Sequence, residues 1–247
     1  MRILSWNVNG LNQNKQLEVH DTAEDIRSFD VALLTETRCE QSEVFRGFGK
    51  FSLPVRELGR AGEGTCVLIH PHLEGSVTVW KLQPEVQAVW VRIKALALGL
   101  DRDLFLACVY IPPATSSQLQ MHNLSARMAA LKSAAVMASE LGYVIIGGDF
   151  KTKVAAADDT VVSDRRFLEK SGLPIQRGCS CAKANLDGQL LVDFCLSTAL
   201  LMGTGRLPGD TMAPASFSRG TSDSRLDHLI MDKRMGMGVH LVCGHSA

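Results

Sequence analysis

Apolar residues along the chain come in short runs that break on glycine, proline or charge, and most runs are rich in valine, isoleucine and aromatic side chains. The runs Ile3–Val8, Val31–Thr35, Thr65–His70, Val77–Lys81, Val89–Lys94, Leu104–Tyr110, Val144–Gly147, Leu226–Met231 and Val239–Val242 predict strands. Helical spacing is found at Lys15–Ser28, where Leu17, Ala23 and Ile26 share a face, and at Gln118–Leu141, where Leu124, Met128, Leu131, Ala135 and Ala138 recur every third or fourth residue. A cap at Ser163 or Asp164 ahead of Phe167 predicts a third helix, and a fourth is expected within Gly188–Thr198. Strands in runs, punctuated by helices rather than alternating with them, predict an α/β architecture of two mixed β-sheets packed face to face with helices outside. No linker or internal repeat interrupts the pattern, so one domain over residues 1–247 is expected.

Four of these runs carry a polar group at one end: ILSWNV holds Asn7, VALLT leads to Glu36, YVIIGG to Asp149 and SRL to Asp227. A residue at the end of a strand has its backbone fixed by the sheet while its side chain projects over the edge. All four are oxygen donors, and hard oxygen donors suit Mg²⁺ or Mn²⁺. Each also has a local alternative: Glu36 can pair with Arg38, Asp227 with Arg225, and Asn7 can cap a turn with Asn9 and Gly10. His245, after the last strand, suits a partner for an attacking water or a developing charge.

Composition narrows the picture only partly. A chain of 247 residues, 46% hydrophobic, can bury a large core. Its 26 basic residues balance 26 acidic ones, which excludes a global positive field; binding of a polyanion then needs a local patch or a metal. The seven cysteines are scattered, and Cys179-x-Cys181 is too tight for a zinc knuckle. Free thiols in a reducing compartment, hence an intracellular address, nuclear or cytosolic, are expected. No apolar run approaches the ~20 residues of a membrane span, and MRILSWNV alternates like a strand rather than a leader. Trp6, Trp80 and Trp90 read as sheet packing.

The segments SWNVNGL, LLTETR, VYIPP, GGDFK and SFSRGTSDSRLDHLI, in this order, resemble the serial motifs of the endonuclease/exonuclease/phosphatase superfamily, and the likeness runs from Arg2 to His245. The run GQLLVDFCLSTALLMGTGRLPGD before SFSRGTSDSRLDHLI is most similar to the endonuclease domain of long-interspersed-element retrotransposon polyproteins. The resemblance implies a four-layer α/β sandwich and a Mg²⁺- or Mn²⁺-dependent phosphodiesterase acting on DNA. It implies that Glu36 is the direct metal ligand, assisted by Asn7, and that Tyr110 lies near the scissile phosphate. Asp149 would orient or deprotonate the attacking water, while Asp227 would support the metal or the catalytic His245. Lys151, Arg219 and Arg225 are the candidate phosphate contacts. Cleavage at such a site is an in-line displacement.

Two positions depart from the family motifs. Where GGDFN is usual this chain has Lys151, so a carboxamide that donates and accepts is replaced by an ammonium that only donates. Lys151 can grip a phosphate, or it can sit against Asp149 or Glu36 and displace the metal. The terminal Ser-Asp-His is replaced by Cys243-Gly244-His245. Losing a carboxylate that orients a histidine lowers kcat by ~10⁴ in a serine protease triad, about 5 kcal/mol of barrier. Three functions therefore stand open: a retrotransposon-type DNA endonuclease, weakened at these positions; a phosphatase on a small phosphoester; and a catalytically degenerate remnant that binds nucleic acid.

Overall fold

The structure is a computed structural model that describes residues 1–10, 26–38, 47–53, 64–112, 124–155, 159–179, 183–208, 210–211, 217–219, 222–224, 226–235 and 240–243. In chain order the strands are β1 (Arg2–Asn7), β2 (Val31–Thr35), β3 (Gly49–Ser52), β4 (Thr65–Ile69), β5 (Val77–Gln83), β6 (Ala88–Ile93), β7 (Leu104–Tyr110), β8 (Tyr143–Asp149), β9 (Leu200–Met202), β10 (Phe217–Arg219), β11 (Ser222–Ser224), β12 (Asp227–Asp232) and β13 (His240–Cys243). The helices are α1 (Pro71–Glu74), α2 (Ala95–Leu98), α3 (Leu124–Leu141), α4 (Val162–Ser171) and α5 (Leu186–Thr198).

Two mixed sheets result. The first runs β13-β1-β2-β4-β3, with β13, β1 and β2 parallel and β4 and β3 antiparallel to their neighbours. The second runs β5-β6-β7-β8-β12-β9 and is parallel only between β7 and β8. β10 and β11 form a separate antiparallel hairpin.

The central runs β2, β4 and β7 are continuously apolar because both faces of the sheets are covered there, and the two-residue period sorts their side chains. Val31 and Leu33 of β2 join Ile3, Val67 and Ile69 against Val91, Leu106, Cys108, Ile145 and Leu229 of the second sheet. Ala32 and Leu34 point the other way, onto Leu4, Val8, Ile26, Phe29 and Leu68. The outer face of the second sheet packs Trp90, Phe105, Ala107, Val144 and Ile146 against α3 and α5, through Leu131, Ala134, Ala135, Ala138, Leu191 and Phe194. Each fully buried Leu, Val or Phe side chain contributes about 1.5–3 kcal/mol by leaving water.

The expected two-sheet α/β architecture is therefore present, with differences at its ends. β3, β9, β10 and β11 were not expected: GKFS, LLM, FSR and SDS are too short to show a period. α4 begins before Ser163, and Asp164 serves it from inside the first turn, its Oδ2 accepting the Val161 N–H at 3.1 Å. α5 is capped by Asn185, whose Oδ1 accepts from the Gly188 N–H at 2.8 Å. Residues 118–123 and most of the predicted Lys15–Ser28 helix lie outside the described residues. Cys66, Cys108, Cys179 and Cys195 take part in no disulfide, and no described helix is long and apolar enough to cross a membrane. Trp90 is fully buried and donates its indole N–H to Gln83 Oε1 at 2.8 Å.

Gly147 and Gly148 bring β8 close to both neighbours just before Asp149. A Cβ on Gly147 would meet Leu33 Cδ1 at 2.5 Å and Leu229 Cδ1 at 2.9 Å, both flexible tips in the inter-sheet core. A Cβ on Gly148 would lie 2.1 Å from the Val109 carbonyl oxygen, at a φ of +136° that disfavours any other residue. Gly148→Ala is expected to lower the unfolding free energy by about 2 kcal/mol or more, and Gly147→Ala by less, in urea titrations of the two variants.

Candidate active site

Strand direction assembles the site. β1 and β2 are parallel and in register with Asn7 opposite Thr35, so Glu36 emerges just beyond the same edge. β7 and β8 are likewise parallel, with Tyr110 opposite Asp149. Asp227 reaches this edge by a different route: it opens β12, which is antiparallel to β8, and stands opposite Asp149. The predicted strand Leu226–Met231 corresponds to β12, and Asp227 is its first residue rather than the end of the SRL run. Tyr110, Asp149 and Asp227 thus form a row across three adjacent strands, and directly opposed residues project from the same face.

The two sheets meet through side chains. Asn7 Nδ2 donates to Glu36 Oε1 at 2.9 Å and to Asp149 Oδ2 at 2.6 Å. Lys151 Nζ makes the same bridge, 2.9 Å from Glu36 Oε1 and 2.7 Å from Asp149 Oδ2, while the Lys151 backbone N–H donates to Asp149 Oδ1 at 2.9 Å. Arg38 Nη2 holds the far oxygen of Glu36 at 3.1 Å and Asn9 Oδ1 at 2.8 Å. Tyr110 stands close enough to Glu36 and Asp149 for their charges to bear on its hydroxyl, and its ring centroid lies 5.8 Å from the Lys151 ammonium. Asn7 Oδ1 accepts the Asn9 N–H at 2.9 Å, so both readings of Asn7 hold: the amide oxygen builds the turn and the amide nitrogen faces the carboxylates. Glu36 likewise both pairs with Arg38 and belongs to the site.

Backbone strain gathers at the same place. Among the described residues six other than glycine have positive φ, and four of these are Asn9 (47°), Glu36 (54°), Arg38 (51°) and Lys151 (50°). Such conformations cost about 1–3 kcal/mol each and persist where surrounding contacts over-determine them. The network of hydrogen bonds around the two carboxylates supplies those contacts.

Charge states follow from burial and from Lys151. Burial alone would push the Glu36 carboxyl up, but the Lys151 ammonium, with Asn7 and Arg38, holds it below its ordinary value. Asp149 is raised: it is completely enclosed, and the donors on Lys151 and Asn7 offset only part of that cost. Burial works against the charged form of Lys151 as well, yet the two carboxylates raise it above the ordinary lysine value. The Tyr110 hydroxyl is pushed far up by burial and by the charges of Glu36 and Asp149, so it stays neutral.

This arrangement does not fit the divalent ion expected from the sequence. Glu36 Oε1 and Asp149 Oδ2 each already accept from two donors, the Asn7 amide and the Lys151 ammonium. An ion coordinated about 2.1 Å from Glu36 Oε1 would lie within about 5 Å of that ammonium, a repulsion on the order of 7 kcal/mol at an effective dielectric near 20. Among the described residues no group of three or more His, Cys, Asp or Glu side chains gathers in a form that could hold a metal. The ammonium stands where the cation was expected.

Asn7, Glu36, Tyr110, Asp149, Asp227 and Lys151 are therefore brought to one edge. His245, Gly244 and Arg225 lie outside the described residues, and Arg219 is described only as a backbone position in β10 paired with Ser222. Two contributors were missed. Arg38 entered only as a surface partner for Glu36, and nothing in TETR marks it as a second cation tying Glu36 to Asn9. His228, buried, donates Nε2–H to the Thr152 carbonyl at 3.0 Å and so fixes the turn that carries Lys151; its adjacency to Asp227 was the available signal.

An α/β sandwich of two mixed sheets, with carboxylates, a carboxamide and a tyrosine collected at one sheet edge, is the frame of a hydrolytic enzyme class. The chain belongs to the endonuclease/exonuclease/phosphatase family, whose sequence model matches residues 4–246. Among solved structures it is similar to the catalytic domain of APE2 from Xenopus laevis, at 18% identity and a TM-score of 0.62 over 94% of this chain and 82% of that one. It is similar to the AP endonuclease LMAP from Leishmania major, at 14% identity and a TM-score of 0.60 over 94% and 78%. The 3′ phosphatase NExo from Neisseria, bound to a product DNA hairpin, matches at 15% identity and a TM-score of 0.59 over 94% and 87%. These likenesses show the shared fold. No curated protein matches the chain significantly.

Removing the ammonium leaves two carboxylates facing each other. Lys151→Met is expected to cost about 2–3 kcal/mol at pH 7, less than a fully buried pair because Lys151 is partly exposed. The sign with pH follows from Asp149: an acid whose folded pKa is raised favours the native state as pH falls toward its unfolded value near 3.9. Because the Lys151 ammonium holds both carboxyls down, its loss raises them further, and thermal melts should show Lys151→Met regaining stability relative to wild type as the pH is lowered from 7 toward the ordinary carboxylate range.

Proposed function

We propose that this chain is directed at the phosphodiester backbone of DNA, as an endonuclease of the retrotransposon type whose hydrolysis is held low by Lys151. One observation carries the reading: the Lys151 ammonium lies 2.9 Å from Glu36 and 2.7 Å from Asp149, on the oxygens that hydrolysis would use. The family consists of hydrolytic nucleases and phosphatases that generally use divalent metals, and two of the similar structures are a DNA phosphatase complex and an AP endonuclease. The motif segments GQLLVDFCLSTALLMGTGRLPGD and SFSRGTSDSRLDHLI support the retrotransposon kind over a phosphatase on a small phosphoester. A nuclear or cytosolic address belongs to the same proposal.

The residues divide the work as follows. Lys151 and Arg38 bring two positive charges to a backbone phosphate, and the neutral Tyr110 hydroxyl offers a donor beside them. Asp149 is the group suited to accept a proton from an attacking water, since enclosure raises its carboxyl. It can do so only after releasing Lys151 and Asn7, which occupy the oxygen that faces Glu36. Gly244 removes a carboxylate beside His245 and works in the same direction.

Nicking of supercoiled plasmid in Mg²⁺ or Mn²⁺ tests this. The double variant Lys151→Asn/Gly244→Asp is expected to nick at least about tenfold faster than wild type, a barrier change of about 1.4 kcal/mol, and adding Glu36→Ala should abolish the gain. Wild type nicking as fast as the double variant, with Glu36→Ala abolishing both, overturns the suppression by Lys151. Absence of both nicking and DNA binding in the double variant overturns the nuclease reading itself.

A further inference from the structure

At the pole opposite the candidate active site, the starts of β1 and β2 meet the end of β4. The Asp30 carboxylate accepts the Arg2 backbone N–H at 2.7 Å through Oδ2 and faces His72 Nε2 at 3.3 Å through Oδ1. His70 is fixed by its backbone N–H to Asp30 O at 3.0 Å and by the edge of Phe48, ring centroids 6.0 Å apart. Across the single Pro71, His70 Nδ1 and His72 Nδ1 stand 2.6 Å apart.

Proton bookkeeping makes this pair unusual. An ionised carboxylate only accepts, so His72 Nε2 carries the hydrogen that faces Asp30. His70 Nδ1 accepts the His72 backbone N–H at 3.4 Å, so that nitrogen bears a lone pair. In neutral rings, His72 Nδ1 then bears a lone pair too. Two ring nitrogens 2.6 Å apart need an electrophile between them, either a proton shared by the rings or a metal ion, and a metal ion would take the His70 lone pair from its long 3.4 Å contact with the His72 N–H.

The geometry points to a two-histidine chelate at His70 and His72 for a borderline-soft divalent cation such as Ni²⁺, Zn²⁺ or Cu²⁺. Neutral imidazole nitrogens are the ligands these ions prefer, and a carboxylate on the far nitrogen orients the ring and strengthens it as a donor, which is the place Asp30 takes. Nitrogens about 2.0–2.1 Å from a common tetrahedral ion lie about 3.3 Å apart, so the rings need to open by roughly 0.7 Å. His72, with half its side chain exposed, has room to do so and leaves the remaining coordination positions to water. Bound there, the ion would clasp the turn that follows β4, with Asp30, just before β2, held to it through His72.

Calorimetric titration of the full chain with NiCl₂ tests the site, read alongside the melting temperature. Wild type is expected to bind one Ni²⁺ and to melt at higher temperature with it. His70→Ala and His72→Gln should lose both effects, Asp30→Asn should bind about tenfold or more weakly, and Glu36→Ala, at the other pole, should bind like wild type. No uptake by wild type means that a shared proton alone joins the rings, and the proposal fails. Uptake that survives in folded His72→Gln overturns it as well.

Discussion

One ammonium group joins the two sheets at the edge where the site lies. Glu36 and Asn7 come from the first sheet, Asp149 and Lys151 from the second, and the Lys151 Nζ contacts at 2.9 and 2.7 Å close the gap between them. Elsewhere the sheets are held by apolar side chains that could slide or be exchanged with modest cost. At this edge two acids face each other across the seam, and without a cation between them the seam would be repulsive. The choice of cation therefore decides both how the edge is held and what it can do.

That choice explains the local strain. Glu36, Arg38, Asn9 and Lys151 all adopt left-handed backbone conformations, each tied down by a hydrogen bond to another member of the set or to the turn beside it. Gly148 allows β8 to press against Val109 immediately before Asp149, and His228 holds the turn after it. Asp149 is thus clamped from both sides in sequence while its carboxylate accepts from three donors. Rigid placement of this kind suits a site that positions a phosphate. Saturation of the carboxylates is what an acid–base catalyst must escape.

The two-sheet plan was readable because the central strand runs are apolar on both faces, and three of them end at a polar residue: Asn7, Glu36 and Asp149 mark strand ends that parallel pairing then gathers. Asp227 was readable as a site residue and, within the predicted run Leu226–Met231, as lying near a strand start; that this start falls beside Asp149 depends on the antiparallel pairing of β12 with β8. The short strands β3 and β9 owe their existence to their neighbours, which a run of three or four residues cannot announce. Lys151 was recognisable as a departure with two possible positions, on a phosphate or between the acids. Deciding between them required the distance across two sheets, from a residue at 151 to one at 36. Arg38 and His228 were hidden for the same reason, as their partners come from turns rather than from periodic segments.

The most direct measurement of whether Lys151 takes the cation's place is a Mn²⁺ titration followed by electron paramagnetic resonance, on wild type and Lys151→Asn, each with and without Glu36→Gln. Wild type should leave Mn²⁺ free at concentrations where Lys151→Asn binds one ion in a Glu36-dependent manner. Glu36-dependent binding of Mn²⁺ by wild type, as tight as that of Lys151→Asn, would contradict it.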